Sequence, residues 1–277
     1  MITDAIRRPQ RERARQSWDH FLHVTAALAV TEFKLRYFGS TLGYLWSVLR
    51  PLFLFGVLYI VFTKIVRTGT SVPHYPVALL LGLVFFNFFS EATSSGLSSL
   101  IQREHLLRKV AFPRAAIPVA VSATAVANFA LGLVIVLILA LFNGVDPAAS
   151  WLLLMPLAAA IVVFATTISL LLSILFVRYR DVQPLWEVIL QVTFWVTPII
   201  YGIGFVPAAY RQFVMYNPLA VAIEQARRWV IGSDFPSASD VLGSDLQLLI
   251  PAAVYIAVAA LGIWTFSRRA GYVAEEL

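Results

Sequence analysis

Six stretches that are long and apolar enough to cross a lipid bilayer fix the kind of fold open to this chain. A helix rising 1.5 Å per residue needs about 20 mostly apolar residues to cover about 30 Å of hydrocarbon. Windows near 43–65, 76–101, 115–142, 151–177, 184–203 and 247–267 meet that requirement. Charge inside them is sparse: Arg50 and Lys64 in the first, Glu91 in the second and Glu187 in the fifth. The chain is 60% hydrophobic and 13% charged, whereas soluble domains run near 45–50% and about 25%. The sequence predicts an all-α integral membrane protein of six spans.

Cations assign the two faces, because Lys and Arg are retained on the cytoplasmic side. With the N-terminus inside, residues 1–50, 102–114, 178–183 and 268–277 hold 16 of the 21 Lys and Arg residues. The other face keeps Lys64, Arg67, Arg211, Arg227 and Arg228. Both termini are thus predicted to be cytoplasmic. This bias also accounts for the net charge of +6 without invoking nucleic acid. No signal-peptide pattern opens the chain, and the absence of cysteine excludes disulfides and thiolate metal sites.

Residues 1–16 are charged and poor in apolar groups and predict a mobile basic arm. Residues 17–42 form a lead-in in which Trp18, Phe21, Leu22, Thr25, Leu28 and Ala29 recur at helical spacing. That pattern describes either an amphipathic helix lying in the membrane interface or an ordinary surface helix. The six-span domain is predicted over 43–267, with a cytoplasmic tail at 268–277. Its longest loop, between the fifth and sixth spans, includes GFVPAAYRQFVMYNPLAVAIEQARRWVIG, half apolar and half polar. It reads either as short re-entrant helices dipping into the outer leaflet or as a surface loop.

Two intramembrane carboxylates stand out, since an unpaired charge there is expensive. Asn87, Glu91, Ser94, Ser95 and Ser98 share one helical stripe, and Glu187, Gln191, Phe194, Trp195 and Pro198 share another. Such stripes line a hydrated pathway or bond neighbouring helices. Tyr44, Trp46, Phe53, Tyr59, Phe194 and Trp195 belong to a wider set of rings that either stack on sugar C–H faces along a route or pack in cores and interfacial belts.

Enzymatic signatures are missing. Lys34, Lys64 and Lys109 are the only lysines and none follows a glycine, so a G-x-x-x-x-G-K-[ST] phosphate loop is excluded. The four histidines lack H-E-x-x-H spacing, and no G-x-S-x-G elbow occurs. Two cytoplasmic joints are more informative. QREHLLRKVAFPRAAIP mixes Leu106, Leu107, Val110 and Phe112 with charge before Pro113, either to plug into a partner's groove or as a plain basic loop. VRYRDVQP places Asp181 within loop distance of Arg178 and Arg180.

Five segments carry a resemblance. FKLRYFGSTLGYLWSVLRPL, LLRKVAFPRAAIP, VRYRDVQPLWEVILQVTFWVTPIIY, YNPLAVAIEQARRW and FSRRAGYVAEEL resemble, in this order, segments of the membrane subunit of type-2 ABC exporters. Those exporters move lipid-linked polysaccharides such as O-antigen, teichoic acid, capsule and mycobacterial galactan. Members often carry Arg-Asp just before the equivalent of Lys34, where this chain has Thr31-Glu32.

The resemblance implies a homodimer of six-span permease subunits in a bacterial inner membrane, with two separate ATPase subunits below that bind ATP and Mg2+. This chain would itself need no cofactor or metal. Coupling to the ATPase would fall to Arg103, Glu104, His105, Leu106, Leu107, Arg108, Lys109, Phe112, Pro113 and Arg114, with Arg178, Arg180 and Asp181 nearby. A polyprenyl-pyrophosphate carrier would arrive at Lys34, Arg36 and Arg50. Tyr37, Phe38, Tyr44, Trp46, Phe53, Tyr59, Asn87, Glu91, Glu187, Gln191, Phe194 and Trp195 would line the channel. Competing readings are a permease for drugs or small lipids, a proton-coupled transporter relaying through Glu91 and Glu187, and a membrane enzyme acting on polyprenyl phosphates.

Overall fold

The computed structural model of the chain describes residues 19–35, 43–67, 69, 72–109 and 113–270, without the side chains of Arg108 and Lys109. The predicted arm and most of the tail, together with Arg36, Tyr37, Phe38 and Phe112, lie outside the described residues. Every regular element among the described residues is helical.

Helix α1 covers 19–35. Phe21, Val24, Thr25, Leu28, Ala29, Glu32 and Phe33 are its half-buried residues, spaced three and four apart as a single stripe must be. The seam sits slightly off the predicted one, leaving Leu22 57% exposed.

Five helical stretches are long and apolar enough to cross a membrane among the described residues. They are α2 (Leu45–Ile60, continued by a π-helical turn over Val61–Ile65), α3 (Tyr75–Gln102), α5 (Ala116–Phe142), α6 (Leu154–Arg178, with a 3-10 lead-in from Ala149) and α11 (Leu249–Arg269). Short α4 (Glu104–Lys109) joins α3 to α5. The expected span over 184–203 is cut back to α7 (Val182–Val196). At 15 residues it is about 22 Å long, less than the hydrocarbon thickness. The cause is local: Pro198 disfavours helical backbone at the residue before it, and Thr197 is extended with ψ 137°. The long loop then folds into α8 (Ala208–Met215), α9 (Pro218–Val230) and α10 (Ala238–Leu242). Asn217 caps α9 by accepting from Leu219 N–H at 3.0 Å, and a Ser237–Asp240 capping box opens α10.

The core is built around α3. Phe85 and Phe88 meet Phe129 of α5 at 5.1 and 4.6 Å between ring centroids. Phe89 stacks on Phe164 of α6 at 6.0 Å, and Phe164 in turn on Tyr255 of α11 at 5.2 Å. Toward α7, Phe86 meets Phe194 edge-on at 5.0 Å, and the indole N–H of Trp186 donates to Thr93 Oγ1 at 3.1 Å. Gly262 of α11 lies directly against the Thr167 backbone of α6, where an added Cβ would collide with the carbonyl. Small residues of this kind let membrane helices approach closely when no hydrophobic force drives them together.

Candidate functional site

The bundle has a basic end, carrying α4, the α6–α7 joint and the last turn of α11, and a hairpin end, carrying α8 to α10. At the basic end Leu107 of α4 points inward, joining Leu100, Ile117, Ile174, Val177 and Phe266 in a buried cluster against which Leu28 of α1 packs. Leu107, expected in a partner's groove, is therefore part of this chain's own core, because α4 has just one apolar face to bury and the ends of α3, α5, α6 and α11 surround it. His105 is exposed and Leu106 half-buried. Arg103 pairs with Glu32 of α1, and Arg114 donates to the Ala270 carbonyl beyond α11. Arg178 and Arg180 lie over the rings of Tyr179 and Phe176 at 5.5 and 5.4 Å. Asp181, within loop distance of both, pairs with neither among the described residues, and the two guanidiniums lie on aromatic faces.

The two polar stripes face different surroundings. Glu91 accepts from Asn128 Nδ2 of α5 at 2.9 and 3.2 Å, in a cleft of about 60 Å³ that Ser47 and Pro51 of α2 and Asn87 of α3 also line. That is room for a few waters. Glu187 and Gln191 are exposed on α7, where Glu187 accepts from Gln183 at 3.2 Å. Phe86 and Phe89 stand on the α7 side of α3, so the two carboxylates do not converge.

The aromatic candidates separate in the same way. Tyr44 packs on Phe33 of α1 at 5.2 Å, and Tyr59 lies between Phe55 and Tyr75 at 5.9 and 6.4 Å. Trp46, Phe53, Val57 and Ile60 are 49%, 64%, 59% and 56% exposed and with exposed Arg50 make one continuous face of α2. On α7 the uncovered face carries Leu185, Val188, Val192 and Trp195. The far ends of these two helices share one basin. Phe62 at the end of α2, Trp195, Tyr201, Phe205 and Tyr210 line an open cavity of about 550 Å³.

Beneath that basin lies a pair the sequence reading missed. Arg227, counted there among the loop cations, is 1% exposed and Glu224 is fully buried, with Arg227 Nη1 at 2.8 Å from Glu224 Oε1. The guanidinium also donates to the carbonyls of Ala78 (3.1 Å), Ile199 (2.7 Å) and Tyr201 (3.2 Å). Burial pushes the Glu224 carboxyl upward and the Arg227 charge opposes it. Gly82 makes room, since a Cβ there would come within 3.0 Å of the Ile199 carbonyl and 3.1 Å of Arg227 Nη2. The guanidinium thus satisfies the Ile199 and Tyr201 carbonyls, freed where α7 stops short, and ties them to Ala78 in the first turn of α3. The available signal was Glu224 and Arg227 at i, i+3 on the face that also bears Ala220 and Ile223. Neighbouring cations do similar work: Arg211 donates to Val206 and Gly204 carbonyls, and Arg228 to Ser233 and Phe235 carbonyls.

Five helices long and apolar enough to cross a membrane among the described residues define a multi-pass membrane protein. Residues 23–229 match the ABC-2 type transporter family, and the chain belongs to it. It is 31% identical over 193 residues to the O-antigen export system permease protein RfbA of Klebsiella pneumoniae, covering 69% of this chain and 74% of that protein. The Myxococcus xanthus protein of the same name is 32% identical over 197 residues, covering 70% and 74%. The polysialic acid transport protein KpsM of Escherichia coli is 21% identical over 206 residues, covering 74% and 80%.

Proposed function

We propose that this chain is the permease half of an ATP-driven exporter that carries a polyprenyl-pyrophosphate-linked cell-surface polysaccharide across the bacterial inner membrane, from the cytoplasmic to the outer face. Two copies of the chain form the conduit, and two ATPase subunits, which bind ATP and Mg2+, dock at the basic end. The polymer is of the O-antigen, galactan or teichoic-acid kind. No covalent bond in it is broken during transport, and neither a cofactor nor nucleic acid takes part.

The observation that carries this reading is the pair of uncovered faces on α2 and α7, which run to one aromatic basin in a chain of this family. Aromatic faces offer sugars broad, weak, repeatable contact, which suits a polymer that must slide. In the proposed arrangement α7 and the turned segment after it make the fifth of six crossings and α11 the sixth, α8 and α9 re-enter the outer leaflet, and both termini are cytoplasmic. Arg50, held on the exposed face of α2, receives the carrier's pyrophosphate, and Trp46 and Phe53 follow it along the route.

The separation of Glu91 from Glu187 across α3 speaks against a proton relay through both. Reconstitution of the chain with its ATPase tests the proposal. Arg50→Ala should assemble normally and lower export of lipid-linked polymer by about tenfold, the effect of losing one charge-assisted contact. Unchanged export, or export driven by a proton gradient with no ATPase present, would sink it.

A further inference from the structure

Two cavities flank α1 where it crosses α5. On one side Ala29, Val30 and Phe33 of α1 face Ala123 and Ala127 of α5 across an apolar groove of about 360 Å³, with exposed Lys34 among its walls. On the other side Ser94, Ser95, Ser98 and Gln102 of α3 border a second cavity of about 420 Å³. Its one charged lining residue, Glu32, is already paired with Arg103. Thr124 of α5 lines both cavities.

Thr124 is one of a few buried hydroxyls, with Thr25, Thr63 and Ser169, that have no hydrogen-bond partner among the described residues, and it is the one that lines both cavities. A helical Thr or Ser usually returns its hydroxyl to a carbonyl one turn back, as Thr93 does to Phe89 at 2.7 Å and Ser122 to Pro118 at 2.9 Å. Thr124 is 4% exposed and its Oγ1 finds no hydrogen-bond partner among the described residues. A buried hydroxyl left this way carries a desolvation penalty that a ligand oxygen or N–H would relieve.

We propose that the two cavities together hold the head of one lipid-linked sugar. Its isoprenoid chain lies in the alanine-floored groove, its phosphate meets Lys34, and its first sugar reaches past Thr124 to the serine and glutamine side chains. This deepens the reading given under Proposed function and rests on it, placing Lys34, which the resemblance groups with Arg50, at the mouth of a groove between α1 and α5 instead of on the α2 face. The sequence of chemistries decides the occupant. An apolar groove beside a cation suits any anionic lipid, but a neighbouring cavity lined by hydroxyls and an amide, with its carboxylate neutralised, adds nothing for a simple phospholipid and matches a neutral sugar. Alanine at 123 and 127 keeps the groove open, and a leucine at either position would fill it.

Photolabelling of the full-length chain with its ATPase in nanodiscs tests this, using a diazirine-bearing polyprenyl pyrophosphoryl N-acetylhexosamine as probe. Labels should fall on residues 23–35 and 119–130. Lys34→Glu should reduce labelling by about tenfold, and Ala127→Leu should remove it. Thr124→Val, nearly isosteric and so spared the question of folding, should erase the preference for the sugar-bearing probe over bare polyprenyl pyrophosphate. Equal competition by phosphatidylglycerol, labels confined to α2 and α7, or an unchanged Thr124→Val preference would each overturn the site. Export of lipid-linked polymer, measured on the same preparation, separates the two claims. Normal export with labels elsewhere removes the groove alone, whereas groove labelling without any export removes the proposed function.

Discussion

Helices α2 and α3 are neighbours of comparable apolarity that meet opposite fates. In the most apolar window of α3, 78% of residues are buried, while in that of α2 none is. Hydropathy alone does not separate them, because a bilayer accepts both. Burial separates a helix that other helices surround from one whose outer face is left for lipid or for another protein. α6 belongs with α3, at 61% buried, and α7, whose buried residue is Leu190, belongs with α2. Burial thus gives the inner pair the larger share of stability, and under the proposed function the outer pair is the one that serves transport.

Mutations can break or sharpen that division. The largest effect is expected from Arg227→Leu, which strands buried Glu224 and the carbonyls of Ile199 and Tyr201. Breaking a buried pair by removing one partner costs about 3–5 kcal/mol, so the melting temperature in detergent should collapse and little folded chain should be recovered. Next is Gly262→Val, which forces α11 away from Thr167. Overpacking typically costs about 1–3 kcal/mol, again read as a lowered melting temperature. Phe53→Ala and Trp195→Ala should move stability by no more than about 0.5 kcal/mol while lowering polymer export. A large loss of stability at either position would show that α2 and α7 are structural after all, and the comparison would fail.

The smallest effect concerns pH. Hydrogen bonds from Ser237 hold the Asp240 carboxyl below its ordinary value. A depressed folded pKa means that its contribution to folding is present above the unfolded value near 4 and is lost as pH falls through the lower folded value. Asp240→Asn should flatten the acid limb of a thermal melting series and leave neutral-pH melting nearly unchanged.

Much of this was legible in the sequence. The windows 76–101, 115–142 and 247–267 fall within two residues of α3, α5 and α11, because length and apolarity fix spans when backbone groups have no water to turn to. The early stop of α7 was written in Thr197-Pro198, but the apolar run continuing through Ile199, Ile200 and Tyr201 outweighed it. Hydropathy counts side chains and does not register a broken backbone. For the site, the sequence supplied the residue types and not their neighbours. Glu91 was visible as an intramembrane carboxylate, yet its partner Asn128 lies 37 positions away on another helix. Leu107 and the residues beside it were read as one surface, although helical geometry turns successive side chains by about 100° and aims Leu107 inward while His105 faces out.

The curtailed α7 has a further consequence. Membrane insertion is decided by long hydrophobic helices, and the short elements from Thr197 to Leu242 contribute little to that decision. Their shape is held largely by guanidiniums gripping main-chain oxygens, an attachment indifferent to those side chains that only project from the same turns. Descendants of this chain could thus exchange Phe205 or Tyr210 to suit a new cargo without jeopardising how the protein enters the bilayer, whereas Tyr201 is tied to the end of α7 by its hydroxyl, which donates to the Trp195 and Val196 carbonyls.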